Sequence, residues 1–314
     1  MAAGLFRSIG KVTGGNHYEI ERNGGGMKTV DQIDRPKKKA SFTLINDHFQ
    51  NFKPYAIPRA QLVIADIPYN IGKNAYGSNP SWYVGGDNAN GESALAGTEF
   101  FDTDKNFRTT EFLHFCSTMM IKEPKATGAA PAMLVFCGFE QQFYLIEKAK
   151  QYGLNKYINL VFRKNFSAQV LKANMRIVGN CEYGLVLYRD KLPKFRNEGK
   201  MVFNCIDWER DNNTPKLHPT QKPVGLLERL IKVFTDPGDV VIDPVAGSGS
   251  SLLAAMNTGR RAYGFEIKKD FHKAATEMLT DRMIELNEIA AYGFPVTKLG
   301  KNHPTLFDSL RMTA

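Results

Sequence analysis

Four consecutive residues in the first quarter of the chain combine groups that could handle an amino group. They are Asp66, Ile67, Pro68 and Tyr69, and they directly follow the apolar run Leu62–Ala65. The carboxylate of Asp66 could accept one hydrogen of an amino group, and the backbone carbonyl of Ile67 or Pro68 could accept the other. Pro68 stiffens the turn and has no N–H of its own. This arrangement would turn the nitrogen lone pair toward an electrophile, and Asp66 could take the displaced proton.

A second segment, residues 243–250, is typical of a loop that holds a nucleotide-like cofactor. It reads Asp-Pro-Val-Ala-Gly-Ser-Gly-Ser and joins the apolar run Val240–Ile242 to a predicted helix. Gly247 and Gly249 allow positive φ and close approach of the backbone to a ligand. The loop lacks the third glycine of the dinucleotide fingerprint. Taken alone, it could hold a nucleotide, a nicotinamide cofactor or S-adenosylmethionine. Glu266, at the tip of the next predicted strand, could accept both hydroxyls of a ribose.

Short apolar runs alternate with helical patterns and must position these residues. The predicted strands are 42–45, 61–66, 132–137, 157–163, 181–189, 240–243 and 261–267. The predicted helices are 109–123, 141–152, 222–235, 250–258 and 270–292. Strands that alternate with helices indicate βαβ units and a largely parallel sheet, which makes the fold class α/β.

Three motifs together resemble those of the β group of S-adenosylmethionine-dependent DNA amino-methyltransferases. Residues 66–69 resemble the Asp-Pro-Pro-Tyr motif of that family, and residues 243–250 resemble its cofactor loop, Asp-Pro-Phe-x-Gly-Ser-Gly-Thr. Residues 218–223, His-Pro-Thr-Gln-Lys-Pro, resemble the segment that leads into that loop. The order, with the catalytic motif first and the cofactor loop last, is that of the β group.

The resemblance covers roughly residues 42–290 and implies a fold. That fold is a Rossmann-like methyltransferase domain with a circularly permuted motif order and a mostly parallel seven-stranded sheet, in which one strand is antiparallel. The sequence departs from the family pattern at Ile67, where proline is commonest, at Val245, which replaces an aromatic residue, and at Ser250, which replaces threonine. Because only the backbone acts at position 67, we expect activity to survive that change.

The resemblance also implies which residues surround the cofactor and the target base. Asn46 and Asp47 resemble the motif whose acidic residue contacts the adenine amino group of the cofactor, and Thr220 and Lys222 would contact its carboxylate. Tyr69 would stack on the target base once that base leaves the duplex. Residues 180–183 resemble a His-Glu-Tyr segment near the target base, to which we assign no catalytic role. The full set expected to bind S-adenosylmethionine is Asn46, Asp47, Thr220, Lys222, Asp243, Val245, Gly247, Gly249 and Glu266.

The implied reaction is transfer of a methyl group from S-adenosylmethionine to the N6 amino group of adenine in double-stranded DNA. The alternative is the N4 amino group of cytosine, but Asp66 favours adenine because the cytosine enzymes more often carry serine there. Two other classes stay open: a non-catalytic DNA-binding or decoy protein that keeps the fold, and an RNA or protein amide methyltransferase. The intact motifs argue against the first class, and aspartate rather than asparagine at position 66 disfavours the amide enzymes.

The basic composition suits a polyanionic partner. The chain carries a net charge of +9, and residues 153–200 hold ten Lys or Arg against three Asp or Glu. Such a stripe is either a solvated face or a set of phosphate contacts, and its place between the two motifs favours contacts with DNA. The residues expected to bind DNA are Lys172, Arg176, Lys194 and Arg196.

The remaining segments suggest how the chain is organised. We expect a flexible N-terminal arm at residues 1–31, one catalytic domain at 41–292 and a C-terminal tail at 293–314. Within the domain we expect a substrate-side flap at 72–108 and a short target-recognition stretch at about 164–216.

The spacing of the cysteines and the hydropathy of the chain indicate the cellular compartment in which the protein works. The four cysteines are widely spaced, which predicts free thiols and no metal site. No apolar run reaches the roughly 18 residues that a membrane span needs. We therefore expect a protein of the bacterial or phage-infected cytoplasm, with no membrane partner and with a homodimer left open. No restriction nuclease motif accompanies the chain, which favours a solitary, phage-type methylase.

Overall fold

The structure is a computed structural model that describes residues 39–69, 107–165, 169–172, 177–209, 211, 214–215, 217 and 221–296. Only the backbone is described for residues 169–172 and 177–178. The predicted N-terminal arm, nearly all of the predicted flap and most of the predicted C-terminal tail lie outside these ranges.

Ten strands and five α-helices are formed by the described residues. The strands are β1 (Phe42–Ile45), β2 (Leu62–Asp66), β3 (Ala132–Cys137), β4 (Lys156–Lys164), β5 (Gln169–Lys172), β6 (Ile177–Gly179), β7 (Cys181–Tyr188), β8 (Cys205–Trp208), β9 (Val240–Asp243) and β10 (Arg261–Phe265). The helices are α1 (Thr109–Met119), α2 (Gln141–Lys150), α3 (Val224–Phe234), α4 (Ser250–Asn257) and α5 (Lys269–Tyr292). Two short 3-10 turns follow β1, at Phe49–Asn51 and Lys53–Tyr55.

Eight of these strands form one sheet in the order β1-β10-β9-β2-β3-β7-β4-β8. All run parallel except β7, which is antiparallel to both of its neighbours. The predicted α/β class with one reversed strand is therefore confirmed, but the sheet has eight strands rather than seven. The additional strand, β8, pairs parallel to β4 at the edge. It has four residues of alternating burial, too few for its period to stand out in the sequence.

Helices cover both faces of the sheet, and this explains why its central strands are apolar throughout. On β2, Leu62 and Ile64 pack in the core on the side of α3 and α4, whereas Val63 and Ala65 pack in the core on the side of α1 and α2. A strand buried on both faces cannot alternate between polar and apolar residues. The continuous run Leu62–Ala65 is the sequence signature of that burial.

The sheet has a topological switch point between β2 and β9. The two strands are parallel neighbours, with Val63 opposite Ile242. From β9 the chain continues to β10 on one side, and from β2 it continues to β3 on the other. Ligands of open α/β sheets bind outside the carboxyl ends of the strands at such a point. Asp66 and Asp243 end these two strands, so the fold brings together the two motifs that lie far apart in the sequence.

Candidate active site

The loop after β9 has the backbone geometry that its glycines predict. Gly247 has φ +52° and Gly249 has φ +75°, in the left-handed region that favours glycine. A Cβ on Gly249 would come within 3.2 Å of Ala275 and Leu279 on α5, so this glycine lets the loop pack against that helix. A Cβ on Gly247 would meet nothing within 4 Å, so the space beside it is open to a ligand.

Asp243 fixes the shape of this loop from within. One carboxylate oxygen accepts the backbone N–H of Val245 at 2.9 Å, and the other accepts the hydroxyl of Ser251. Burial raises the pKa of Asp243 to about 7, against the effect of these two hydrogen bonds. Both carboxylate oxygens of Asp243, a predicted cofactor residue, therefore bind the loop and the start of α4. Val245, also predicted to bind the cofactor, donates its backbone N–H to Asp243.

Glu266 also contacts the loop, from the tip of β10. Its carboxylate accepts the backbone N–H of Gly247 at 2.8 Å and that of Lys268 at 2.7 Å. The side chain is buried, and this burial raises its pKa. Each carboxylate oxygen has a further lone pair, so Glu266 can hold the loop and still accept ribose hydroxyls.

Asn46 and Asp47 lie at the same edge of the sheet. Asn46 donates its amide to the backbone oxygen of Glu266 at 2.8 Å and so ties the end of β1 to the end of β10. The carboxylate of Asp47 accepts the Tyr55 hydroxyl at 2.7 Å and the Asn51 amide at 2.8 Å. The Tyr55 hydrogen bond is the main cause that lowers the pKa of Asp47.

Asp66 has one oxygen engaged and one without a partner. Its Oδ2 accepts the ammonium of Lys222 at 2.7 Å. Its Oδ1 is buried and has no hydrogen-bond partner among the described residues, although the side chain as a whole keeps 31% of its surface exposed. Burial raises the pKa of Asp66, and Lys222 opposes that shift. A buried acceptor without a partner is uncommon and calls for a donor, which the amino group of a substrate would supply.

Lys222 belongs to a buried charge network that also contains Asp66, Glu182 and Lys164. The Lys222 ammonium lies 3.0 Å from Oε2 of Glu182, and Lys164 donates to Oε1 of the same carboxylate. Burial favours the neutral forms, but Asp66 and Glu182 raise the pKa of Lys222, and Lys222 and Lys164 lower the pKa of Glu182. Two cations and two anions thus balance one another in the interior.

Aromatic rings surround this network. The hydroxyl of Tyr69 donates to Oε2 of Glu182 at 3.1 Å. The ammonium of Lys222 lies 5.2 Å from the ring centre of Tyr69 and 5.5 Å from that of Trp208. Cations are attracted to ring faces at these distances, more strongly where water is excluded. Of the four predicted catalytic residues, Asp66 and Tyr69 are therefore held by a cation and a carboxylate from two other parts of the chain.

Gln141 fixes the remaining part of the catalytic turn. Its amide donates to the backbone oxygen of Pro68 at 2.8 Å, and its side-chain oxygen accepts the N–H of Gly138 at 2.8 Å. The N–H of Ile67 continues the strand pairing by donating to Phe136 at 3.2 Å. A carbonyl oxygen has two lone pairs, so Pro68 can still accept a substrate hydrogen.

Some of these residues were not predicted from the sequence. Lys164, Trp208 and Gln141 were missed as members of the site. Glu182 lies in segment 180–183, which the sequence analysis placed near the target base without assigning it a role. Gln141 gave no signal beyond its place at the start of a helix. Among the predicted residues, Thr220 and Arg176 lie outside the described residues, and only the backbone is described at Lys172.

Lys194 and Arg196 lie near the amino end of β9, whereas Asp66 lies at the carboxyl end of the neighbouring strand β2. The Lys194 ammonium lies 2.6 Å from Asp239 and 2.9 Å from Asp236. Arg196 donates two hydrogen bonds to Asp236, at 2.7 and 3.0 Å. Both carboxylates precede β9, whose other end carries Asp243. The predicted role of Lys194 and Arg196 in binding DNA stays a prediction, and both cations are engaged with Asp236 or Asp239.

The other titratable groups offer no second centre in the part of the chain that the structure describes. No group of three or more His, Cys, Asp or Glu side chains there could hold a metal ion. Within the same ranges, no helix has the length and apolar character to cross a membrane. All four cysteines are free thiols, and burial raises the pKa of Cys137, which lies near Asp66, to about 12.

A glycine loop and an Asp-Ile-Pro-Tyr turn on adjacent strands of a switch point define the class of amino-methyltransferases. Comparison with known proteins agrees with this class. The family model described as DNA methylase, which covers N6- and N4-methyltransferases, matches residues 60–277. The chain therefore belongs to this DNA methylase family, and its cofactor is S-adenosylmethionine.

Relatives and a solved structure are similar over different lengths. A methylase of Escherichia coli K12, YubD, is 33% identical over 147 residues, which are 47% of this chain and 61% of that protein. The DNA adenine methyltransferase YhdJ of the same organism is 25% identical over 270 residues, 81% of this chain and 87% of the relative. The crystal structure of the M1.HpyAVI–SAM complex has a TM-score of 0.52 and 18% identity, and covers 76% of this chain and 99% of that one. This likeness confirms the Rossmann-like methyltransferase fold.

Proposed function

We propose that this protein methylates the N6 amino group of adenine in DNA. The observation that carries the proposal is the buried, unpartnered Oδ1 of Asp66 beside Tyr69, at the strand edge where the glycine loop also lies. Aspartate at position 66 and the adenine specificity in the name of YhdJ support adenine. Because the family model covers both amino-methylations, the N4 amino group of cytosine is the alternative.

The residues at the cofactor end fit S-adenosylmethionine. The open space beside Gly247 would admit a ligand against the backbone, and Glu266 would accept the ribose hydroxyls. Asp47 at the neighbouring strand tip is an acceptor for the adenine amino group of the cofactor. Bound there, the cofactor supplies an electrophilic methyl group on a sulfonium. The residues of the chain fix its orientation toward Asp66.

The residues of the catalytic turn then prepare the nucleophile. Oδ1 of Asp66 accepts one hydrogen of the target amino group, and the carbonyl of Ile67 or Pro68 accepts the other, so that the lone pair points along the line of attack. Held by Gly247, Glu266 and Asp47, the cofactor would supply the methyl group and would depart as a neutral thioether. The nitrogen becomes cationic and loses its proton to Oδ1 of Asp66. The ring of Tyr69 stacks on the base throughout.

We further propose that DNA approaches the site past exposed aromatic side chains rather than along Lys194 and Arg196. Phe139 and Phe143 are 56% and 65% exposed. Phe139 lies in the loop after β3, and Phe143 lies in the first turn of α2. Their rings are 5.7 Å apart, and Phe139 also lies 5.2 Å from the ring of Tyr183. This aromatic patch follows Gly138, which packs beside Tyr69, so a base that leaves the duplex would pass it.

The proposal is tested by methyl transfer from isotope-labelled S-adenosylmethionine to DNA, RNA and protein substrates in parallel. We expect label in DNA only, and single-molecule sequencing of the product should show N6-methyladenine in one sequence context. N4-methylcytosine would select the alternative. Transfer to RNA or protein alone, or cofactor binding without transfer to any substrate, would refute the proposal.

A further inference from the structure

The strongest feature that the proposed reaction does not yet use is the carboxylate of Glu182. We propose that Glu182 is a positioning residue for methyl transfer, which holds Lys222 and Tyr69 so that Oδ1 of Asp66 faces the target amino group. This proposal rests on the proposed function of the same site.

Glu182 contacts both groups that flank the reacting atoms. Its Oε2 is shared by the Lys222 ammonium at 3.0 Å and the Tyr69 hydroxyl at 3.1 Å, while Oε1 is held by Lys164. Its side chain is only 16% exposed and lies on β7, opposite Phe162 of β4. One rigid strand therefore fixes the cation that binds Asp66 and the ring that would stack on the base.

Stability alone gives a weak reason for such a network. Burying charges costs desolvation energy that their attraction roughly offsets, so apolar residues of similar volume would serve the core about as well. What the charges supply is orientation. Lys222 binds Oδ2 of Asp66 and leaves Oδ1 for the substrate, and Glu182 binds the same ammonium.

Glu182 also tunes the basicity of Asp66. The groups that face Asp66 are Lys222, Glu182, Tyr69, Cys137 and Asp243. Among them, Lys222 lowers the pKa of Asp66 and Glu182 raises it. Replacing Glu182 by a neutral residue would therefore lower the pKa of Asp66, so the acid limb of the rate profile would move to lower pH.

The test compares Glu182→Gln with Asp207→Asn. Asp207, on the neighbouring strand β8, also pairs with a cation of β4, Arg163, at 2.7 Å, but its side chain is 66% exposed and contacts none of the network. We would measure single-turnover transfer to DNA from pH 5 to 9 and the affinity for S-adenosylmethionine. Because a misplacement of about 1 Å can cost about a hundredfold in rate, we expect Glu182→Gln to lose roughly tenfold to a hundredfold.

Three further measurements distinguish a positioning role of Glu182 from a purely structural one: cofactor affinity, the pH dependence of the rate and the KM for DNA. We expect cofactor affinity within a few fold of the wild type, an acid limb shifted to lower pH in Glu182→Gln, and a normal rate in Asp207→Asn. Glu182→Asp keeps the charge, so it should restore the wild-type acid limb and part of the rate. Tyr69→Phe, which keeps the ring and removes the hydroxyl that binds Glu182, should raise the KM for DNA.

Two results would overturn the inference. One is a Glu182→Gln rate within twofold of the wild type. The other is equal loss in the Gln and Asp variants with an unshifted acid limb, which would make Glu182 merely structural. If Glu182→Gln does not fold, Glu182→Asp and Tyr69→Phe decide the question, and a wild-type KM in Tyr69→Phe would count against it. A wild-type protein that transfers no methyl to DNA would instead refute the proposed function.

Discussion

The ammonium of Lys222 lies 2.7 Å from Oδ2 of Asp66, so the catalytic carboxylate is held by a residue from the segment that leads into α3. Resemblance alone would place Lys222 on the carboxylate of the cofactor. The structure places it at the other end of the site, between the aspartate that would accept the proton and the glutamate of β7. Replacing Lys222 should therefore have one effect if it binds the cofactor and another if it binds Asp66 and Glu182.

Replacing Lys222 by methionine distinguishes them. The change would leave Asp66 and Glu182 buried without this cation, and breaking a buried pair in this way costs about 3–5 kcal/mol. Because Lys222 opposes the upward shift of the pKa of Asp66, its loss would raise that pKa further and move the acid limb to higher pH. This shift is opposite in sign to the one expected for Glu182→Gln.

Rate profiles, chemical denaturation and calorimetry with S-adenosylmethionine check this prediction. Arg229 is an exposed cation of α3 and provides the control as Arg229→Met, for which no such shift is expected. If Lys222→Met loses much of its cofactor affinity and its acid limb does not move, Lys222 binds the carboxylate of the cofactor, as the resemblance implies.

Replacing Asp66 by alanine should abolish turnover and leave cofactor binding within a few fold. Asp66 is assigned to the target amino group, and its oxygens make no contact with the glycine loop. Transfer of labelled methyl to DNA, together with calorimetric titration of the cofactor, measures both effects. Near wild-type transfer in this variant would rule out the mechanism.

Replacing Glu266 by alanine should weaken S-adenosylmethionine binding. Loss of hydrogen bonds to a charged group costs about 1.5–3 kcal/mol, which is roughly tenfold to a hundredfold in affinity. The structure adds that Glu266 also holds Gly247 at 2.8 Å, so part of the loss would come from the loop. Glu266→Gln can keep one acceptor for Gly247 and should bind more tightly than the alanine variant. Unchanged affinity in both variants would remove Glu266 from the cofactor site.

The sequence was sufficient for the parts of the site that depend on local backbone. Strand–turn patterns placed Asp66, Gly247, Gly249 and Glu266 at one edge of the sheet, because the carboxyl ends of parallel strands meet there. Cation partners could not be predicted in this way. The sequence shows only that Lys222 belongs to a motif and that Lys194 and Arg196 belong to a basic segment. The carboxylate with which each cation pairs depends on the order of the strands in the sheet. The short edge strand β8 was missed because four residues carry too little periodic signal.

Neutralising Lys194 and Arg196 should lower stability without changing the salt dependence of DNA binding. Each lost phosphate contact lowers the salt slope by about one unit, so neither substitution should alter it if both residues only brace the turn before β9. Arg196, and after it Lys194, hold the pKa of Asp236 well below its ordinary value. The stability from these pairs is thus present above about pH 4, the ordinary pKa of Asp, and is lost as the pH falls.

Thermal unfolding and DNA titrations against salt measure these effects in Lys194→Met/Arg196→Met. The matched comparison is Lys172→Met/Arg176→Met, for which the predicted role in DNA binding still stands and the salt slope should fall by about two units. A smaller salt dependence of DNA binding in the Lys194/Arg196 variant would show that these two residues contact DNA.

The aromatic patch should assist extrusion of the target base. Stacking on an aromatic side chain is worth about 1–3 kcal/mol per base, so Phe139→Ala/Phe143→Ala should weaken productive DNA binding by about tenfold or more. Tyr157→Ala is the control, because Tyr157 is 51% exposed but lies near the amino end of β4, whereas Asp66 lies at the carboxyl end of β2. Since a mispaired base leaves the stack at lower cost, a mismatch opposite the target adenine should restore much of the rate in the double variant. Equal losses on paired and mispaired DNA would place the patch outside the path of the base.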